Sequence, residues 1–315
     1  MSAAEGGRSA AIGIAMALAS TVAAALTPVL TRYGAQHIEP LVFCAGTNLA
    51  AAAAMLPLLA AQGGVGQIFA RAYRARLIAF AFLGSVSTSL ALIYGLRHAS
   101  AIAGVLLLQT EPVYSLMLTG LILGEVPTLA QVGATVMILG GISSAYLGAG
   151  AVTLGWGAML IALTPLMWQS SHVISLRLMP PLSPTFMTTA RFTYSSLMLS
   201  ALLMAAHPHD FMRMAHVDIA LPIIATGLLS YAAGAYTWYG AISRLSLSWT
   251  TAVSVPGVPL LSVAFAIIFL GERATLRELV GLGVAVCGIV VLIVGADPRR
   301  RGTVQALEAP TPPGI

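Results

Sequence analysis

The sequence predicts an all-α integral membrane protein, with ten transmembrane helices arranged as two inverted five-helix repeats. The 315 residues are 58% hydrophobic and only 8% charged, whereas a soluble domain is about one quarter charged. The chain also divides into ten apolar runs, each of roughly the 20 residues that a helix needs to cross a bilayer. A third observation, an internal repeat, predicts the two halves.

The predicted helices follow one another through short connections. Residues 1–10 form a short polar N-terminus, and the first apolar run is longer than the core of a signal peptide, so we interpret it as a retained helix. The halves then span residues 11–148 and 154–296, and the Arg- and Pro-rich tail 297–315 is expected to be disordered. The approximate helix bounds are 11–31, 41–61, 77–96, 101–123, 129–148, 154–174, 184–206, 217–240, 249–270 and 278–296.

The basic residues predict the orientation of the chain. All 15 are arginines, scattered over short loops and not grouped with aromatic residues, which argues against a nucleic-acid partner. With the N-terminus inside, nine lie in inside loops and five in outside loops. This asymmetry predicts a multi-pass protein of the cell (inner) membrane with both termini in the cytoplasm.

The internal repeat is visible in two stretches. One begins at Pro112 and reads PVYSLMLTGLILGEVPTL; the other begins at Pro259 and reads PLLSVAFAIIFLGERATL. Adding 147 to the first set of numbers carries Glu125 onto Glu272. Because each half has five helices, an odd number, the second half enters the membrane upside down, which predicts Glu125 inside and Glu272 outside. Inverted repeats recur in transporters, with the substrate site near the midplane between the halves.

These stretches resemble the drug/metabolite transporter superfamily, specifically its EamA-type ten-helix members. The segments YGLRHASA, YGAISRLS and SPTFMTTARF are also similar to that family. The resemblance implies a secondary transporter that moves small metabolites or drugs, commonly by export and usually driven by the proton gradient. Two departures stand out: the first helix lacks the Trp that the family often carries, and Thr47 stands in the first half where SPTFMTTARF has its Arg.

Glu111 is the most informative candidate for the substrate-binding and translocation site. It is the only charged residue between Ala101 and Gly124, and an ionised carboxylate at that depth costs about 2.5–3.5 kcal/mol. Such a group faces a cavity, is paired, or stays protonated. Pro112 weakens the helix beside it, and Tyr114 lies on the same face. We expect Glu111 to exchange protons during transport; a buried structural acid is the alternative.

A polar stripe on the sixth predicted helix forms the next part of the candidate site. Trp168, Ser171 and His172 share one face with Thr164 and Ser175. A polar face in an apolar segment predicts the wall of a water-accessible cavity, although small hydroxyl groups also serve as contacts between helices. Ser171 and His172 are therefore expected to be accessible from the cavity.

Candidates in other helices are more ambiguous. Arg191 either snorkels to the inside surface or pairs with Glu111 or with an anionic substrate group. Tyr231 lies deep enough for a cavity wall, and Asn48 is a weaker candidate. Other residues are predicted to lie outside the site. We interpret Trp238 and Tyr239 as part of an interfacial aromatic belt. Ile138 and Val290 are expected to contact lipid or a partner, and Cys44 and Cys287 to serve in packing.

Two other classes of function stay open at this stage. An intramembrane enzyme acting on a lipid-like substrate could use Glu111 with His172, and a receptor or assembly factor would need no transport at all. Nucleotide-binding and metalloprotease motifs are missing, so neither a cofactor nor a metal is predicted. The expected partners are a small-molecule substrate, protons and the lipid bilayer. A second copy of the chain is a further possible partner, because the last helix of each half is almost wholly apolar. Five residues have a spacing that resembles that of metal ligands, and we interpret them as part of a solvated loop rather than as a metal site: His207, His209, Asp210, His216 and Asp218.

Overall fold

Every regular element that the computed structural model describes is helical. It describes residues 3–123, 128–147, 155–178, 182–245, 250, 254 and 256–294, so the Glu125 prediction and the tail fall outside it. Short 3₁₀ helices cover Val65–Phe69 and Pro208–Ala215. The α-helices are α1 Ala3–His37, α2 Pro40–Ala61, α3 Arg71–Arg97, α4 Ala101–Leu108, α5 Glu111–Leu123, α6 Leu129–Leu147, α7 Trp156–Leu178, α8 Pro184–Ala206, α9 Val217–Ile242, α10 Gly257–Leu270 and α11 Leu276–Val294.

The helices are those of a multi-pass membrane protein. Within the described residues, six helical spans are long and apolar enough to cross a bilayer, judged by length and composition, and α6 and α10 are apolar but shorter. Helices α7 and α8 are long but more polar. Their hydroxyl side chains point inward: Ser171 of α7 and Thr189 and Ser195 of α8 are fully buried. The polar residues that lower the hydropathy of α7 and α8 therefore contribute to the interior of the bundle.

Helices α2 and α8 begin in the same way. The side chain of Glu39 accepts a hydrogen bond from the Val42 amide, and that of Ser183 accepts one from the Phe186 amide. Each of these N-cap residues is followed by a proline, whose fixed φ suits the first turn and whose missing N–H needs no partner there. Both helix starts therefore have a local cause in the sequence.

The predicted segment 101–123 contains one apolar span long enough to cross a membrane, Ala101–Leu118, and the helix within it is interrupted next to Pro112. Helix α4 ends at Leu108 and α5 begins at Glu111. The physical reason is Pro112, which has no N–H to donate to the Leu108 carbonyl and whose ring crowds that carbonyl. The hydroxyl of Thr110, inside the break, donates to the Leu107 carbonyl at 2.8 Å.

Helices α3 and α9 each contain a π turn, over Phe82–Val86 and Thr226–Ala232 respectively. The two turns occupy matching positions: when the YG pairs that begin at Tyr94 and Tyr239 are aligned, residues 82–86 fall on 227–231. A π turn interrupts the regular ladder of helical hydrogen bonds and is frequent at functional sites. The alignment also carries Ser85 onto Ser230.

Helices α6 and α11 pack closely and antiparallel. A Cβ atom added to Gly141 would lie 2.5 Å from the Gly281 carbonyl oxygen, and one added to Gly288 would lie 2.9 Å from the Ala134 carbonyl oxygen. Ala134, near the start of α6, thus lies against Gly288, near the end of α11, and Gly141, later in α6, lies against Gly281, earlier in α11. Ile138 is fully buried in this contact, because the glycines let the backbones approach; the expectation that it faces lipid is wrong. Val290 is exposed, as expected.

Glu272 connects several helices at one end of the bundle. Gly271 ends α10 in the left-handed conformation, with φ 65°, which glycine adopts without strain. Glu272 follows, and its carboxylate accepts hydrogen bonds from the amides of Ala101 at 2.8 Å and Ile102 at 3.0 Å. Arg32 of α1 lies beside it and donates to the Leu96 carbonyl at the end of α3. The GE pair therefore links α10 to the start of α4.

Candidate functional site

A cavity of about 260 Å³ lies inside the bundle. Its lining comes from α1, α3, the α4–α5 break, α7, α8, α9 and α10. Both π turns contribute, through Gly84 and Ser85 in α3 and through Ser230 and Tyr231 in α9. The repeated prolines Pro112 and Pro259 line it as well. The irregular places in the helices therefore meet at one internal cavity.

Five of the eight candidate site residues line this cavity together: Glu111, Trp168, His172, Arg191 and Tyr231. The other three are absent from its described lining. Tyr114 is partly buried, one turn beyond Glu111. Asn48 and Ser171 are fully buried.

Glu111 lies at the first residue of α5, at the edge of the break. The Nε2 atom of Gln169, on α7, donates a 2.8 Å hydrogen bond to its Oε1 atom. No described residue donates a hydrogen bond to its Oε2 atom. Gln169 was missed by the sequence analysis, although its polarity in an apolar run beside Trp168 was a usable signal. One carboxylate oxygen is therefore fixed and the other is left for another partner.

Arg191 donates to the π turn of α3. Its Nε atom donates to the Ser85 hydroxyl at 2.7 Å, one Nη donates to the Gly84 carbonyl, and the other reaches the Tyr239 hydroxyl at 3.5 Å. The guanidinium also lies over the rings of Phe80 and Phe192, with its carbon 5.5 Å and 5.8 Å from their centroids. These contacts hold the cation at the cavity wall.

Neither sequence interpretation of Arg191 describes these contacts. Among the described residues, no carboxylate forms an ion pair with Arg191; the ion pairs that the structure gives are Arg32 with Glu272 and Arg213 with Asp210. The guanidinium has five N–H donors, and three of them are used in the contacts above. Two donors are left over, on a cation that lines a cavity.

The other π-turn contacts explain the position of Ser171. Its hydroxyl donates to the Phe80 carbonyl at 3.1 Å, just before the turn. Thr88, two residues after the turn, donates to the Gly84 carbonyl at 2.9 Å. Buried backbone carbonyls at such an irregularity need hydrogen-bond partners. Ser171 thus stabilises the cavity wall from its buried side, whereas its neighbour His172 lines the cavity.

Aromatic rings form part of the apolar wall, together with aliphatic side chains such as Leu92 and Leu108. His172 stacks on Trp238 with centroids 6.4 Å apart, and Phe192 stacks on Tyr231 at 5.8 Å. Trp238 lines the cavity and Tyr239 is 1% exposed. Their interpretation as an interfacial belt is wrong, because α9 turns this face toward α1 and α8.

Asn48 joins three helices behind the cavity. Its Nδ2 atom donates to the Cys44 carbonyl at 2.9 Å and lies 3.4 Å from the Ser89 hydroxyl, and its Oδ1 atom accepts from Ser195 at 2.7 Å. Ser89 in turn lies 3.4 Å from the Tyr231 hydroxyl. Asn48 therefore connects α2 and α8 to a residue of the cavity wall.

A helical membrane bundle with an internal cavity lined in part by polar side chains fits a transporter, and similarity to known proteins leads to the same class. The chain belongs to the EamA-like transporter family, whose model matches residues 11–147 and again residues 155–294. This confirms the resemblance to the drug/metabolite transporter superfamily.

Two individual proteins that this chain resembles share little sequence identity with it. A probable terminal-alkyne amino-acid exporter of Streptantibioticus cattleyicolor is 26% identical over 225 residues, which are 70% of this chain and 71% of that protein. A crystal structure of a protein matches with a TM-score of 0.64 and 16% identity, covering 92% of this chain and 98% of the other. The second likeness concerns the fold alone.

Proposed function

We propose that this protein is a secondary transporter that exports a small metabolite or drug-like molecule by alternating access, in exchange for protons. The observation that carries the proposal is the internal cavity, which contains a carboxylate, Glu111, with one oxygen unused by the described residues. Family membership supports transport as the class of activity. The name of the Streptantibioticus relative supports the outward direction.

The proposal includes ten membrane crossings in two inverted halves. The crossings are α1, α2, α3, α4 with α5, and then α6 to α11. Two matches to one family model support the repeat. The antiparallel contact between α6 and α11 supports the inversion: adding 147 to Gly141 and subtracting 147 from Gly281 gives Gly288 and Ala134, which are also in contact. A contact that reproduces itself when its partners are exchanged is the mark of a two-fold axis.

The remaining parts of the proposal concern location and coupling. We place the protein in the cell (inner) membrane with both termini in the cytoplasm, because the arginines are asymmetrically distributed. Coupling would run through Glu111: a proton and the substrate would occupy its carboxylate alternately, as the cavity opens to one side and then to the other. A carboxylate inside a membrane protein is a common element of such proton relays.

Substrate-linked proton movement in proteoliposomes tests the proposed function. Purified protein is reconstituted with a trapped pH indicator and exposed in turn to amino acids, nucleosides, sugars and cationic drugs. We expect at least one of these classes to move protons across the membrane, and protein-free vesicles to show no such movement. If all four classes leave the internal pH equal to that of protein-free vesicles, the proposal fails.

A further inference from the structure

A cluster of residues around Glu272 covers one end of the central cavity. On this side, the lining contributed by three helices ends at Pro28 of α1, Leu92 of α3 and Val105 of α4. One helical turn further along each of these helices stand the residues of the cluster: Arg32, Leu96 and Ala101. A turn advances an α-helix by about 5.4 Å, so the cluster lies directly beyond the cavity.

An apolar layer separates the cluster from the cavity. Five side chains from α1, α4 and α10 pack in one buried group, each at most 5% exposed: Val29, Ile102, Val105, Val263 and Ala266. Val29 and Val263 directly follow the cavity-lining residues Pro28 and Ser262 in the chain. Ile102 joins the layer to the cluster, because its amide donates to Glu272. Apolar constrictions of this kind close a path by excluding water.

A second cavity, of about 270 Å³, adjoins the cluster. Its lining includes six polar or charged side chains: Arg32, Gln36, Ser100, Glu272, Arg273 and Glu278. Gln36 and Arg273 are exposed, so this second cavity reaches the surface of the protein. Arg32 and Glu272 therefore stand between a space that is open to the surface and the central cavity.

Helix α4 has the form of a movable segment. It consists of only the eight residues Ala101–Leu108 and ends at the break beside Pro112, where a helical hydrogen bond is missing. The hydroxyl of Thr110, in the break, lies 3.2 Å from the Ala162 carbonyl of α7, which fixes this end. The opposite end is held by Glu272, whose two carboxylate oxygens accept from the first two amides of α4. Residues at the ends of helices are where hinges absorb changes in backbone angles.

We propose that α4 is the gate at this end of the cavity, that it pivots at the α4–α5 break, and that Glu272 with Arg32 is the latch that holds it closed. The gate rests on the proposed function, because alternating access needs a gate at each end of the cavity. It is the gate at the end that the proposed topology puts outside. Opening would move the α4 side of the apolar layer away from α1 and α10, and so join the two cavities.

The latch has a second partner ready for its carboxylate. Arg32 donates through Nη1 to the Leu96 carbonyl, but its Nε atom is buried and has no hydrogen-bond partner among the described residues. That Nε atom lies 4.0 Å from the Oε1 atom of Glu272. A carboxylate that leaves the amides of α4 would gain this charge-assisted hydrogen bond. The closed and open gates would therefore differ by an exchange of partners at one carboxylate, as a two-state element requires.

The labelling rate of a thiol in the central cavity tests the gate without a substrate. After replacement of Cys44 and Cys287 by alanine, Ser262→Cys puts a thiol on the cavity wall. The Ser262 hydroxyl has no hydrogen-bond partner among the described residues, so this change removes none of them. A membrane-impermeant maleimide is added to right-side-out or to inside-out vesicles. With the latch intact, we expect slow labelling from the face that bears Glu272.

Glu272→Gln should open the latch, because a glutamine offers one acceptor oxygen for two amides and turns an NH₂ group toward the other. We expect labelling from the face that bears Glu272 to rise about tenfold or more, the effect of losing a charge-assisted hydrogen bond. Labelling from the opposite face should not rise. If the glutamine variant does not fold, Glu272→Asp, which is too short to bond both amides, should give the same one-sided rise.

Glu278→Gln is the matched control. It removes a carboxylate from the wall of the same second cavity, and the described hydrogen bonds of that carboxylate go to Thr275 in its own turn. Both labelling rates should therefore stay as they are in the parent protein.

The gate is refuted if Glu272→Gln and Glu272→Asp are labelled at the rate of the parent. It is also refuted if labelling becomes faster from both faces alike, since that would mean a generally loosened bundle. These rates require neither a substrate nor a pH gradient. Failure of the proposed function, by contrast, shows as absent proton movement in the proteoliposome assay, whatever the labelling rates are.

Discussion

At the scale of single residues, charge in an apolar run was the most useful signal in the sequence. Glu111 and Arg191 stand out because few charged side chains enter hydrocarbon without a functional reason, and both line the cavity. Their partners were harder to find. Gln169 and Tyr239 contact them across gaps of 58 and 48 residues in the chain, and no local pattern encodes such contacts.

Two adjacent residues of α7 provide a residue-scale prediction. His172 lines the cavity, whereas Ser171 is fully buried against the Phe80 carbonyl. After replacement of Cys44 and Cys287 by alanine, we expect His172→Cys to react with a membrane-impermeant thiol reagent at least about tenfold faster than Ser171→Cys, because buried thiols are shielded from reagents. The measurement is the labelling rate in intact vesicles. Equal rates at the two positions would contradict the described wall.

At the scale of helices, apolar runs predicted the positions of most elements, and the local interruptions were only partly predictable. Pro112 signalled weakness next to the α4–α5 break, because proline removes a helical hydrogen bond. The π turns had no such signal: FLGSV and TGLLSYA contain ordinary membrane-helix residues. The Gly84 carbonyl of the first turn accepts a hydrogen bond from Arg191 of α8, so a tertiary contact supports a conformation that local sequence does not specify.

The contact between α6 and α11 gives a prediction with a built-in control. A side chain at Gly141 would collide with the backbone of α11, whereas a Cβ on the neighbouring Gly140 meets no atom within 4 Å. Gly141→Leu should therefore destabilise the protein by about 1–3 kcal/mol or more through overpacking, and Gly140→Leu should change stability little. Thermal unfolding in detergent, followed by circular dichroism, compares the two. A Gly140→Leu variant as unstable as Gly141→Leu would argue against the contact.

The start of α4 gives a second prediction about a helix. Glu272 accepts hydrogen bonds from two of its first amides, and loss of an N-cap interaction costs about 0.5–2 kcal/mol. Glu272→Ala should lower the midpoint of thermal unfolding, and Glu272→Gln, which keeps an acceptor oxygen, should lower it less. Unchanged stability in the alanine variant would mean that the carboxylate does not hold the helix.

At the scale of the whole molecule, composition predicted the membrane class, and the paired GE stretches led to the family. The proposed inversion predicts opposite sides for matching points of the two halves. We expect reporter fusions after Glu125 to be active in the cytoplasm, fusions after Glu272 to be active outside, and fusions at the C-terminus to be active in the cytoplasm. Both GE turns on one side of the membrane would exclude inverted halves.

The cavity itself could be predicted only in outline. Polar stripes identified residues of several walls, but the packing that joins α3, α7 and α8 around Arg191 depends on glycines such as Gly84, whose added Cβ would lie 2.3 Å from the Ser171 hydroxyl. Close approaches of this kind are properties of the assembled bundle. Composition and periodicity indicate which faces are polar, and they do not indicate which polar groups meet.

The measurement that tests the account most directly is pH-gradient-driven accumulation in proteoliposomes by the wild-type protein and Glu111→Gln, with the solute class that moves protons in the wild type. The glutamine keeps the size of the side chain and its hydrogen bonding to Gln169 but cannot change its charge. We predict that the wild type accumulates solute when a gradient is imposed, and that the variant loses accumulation while it retains solute exchange. Equal accumulation by both proteins would contradict coupling through Glu111 and leave that carboxylate a structural role.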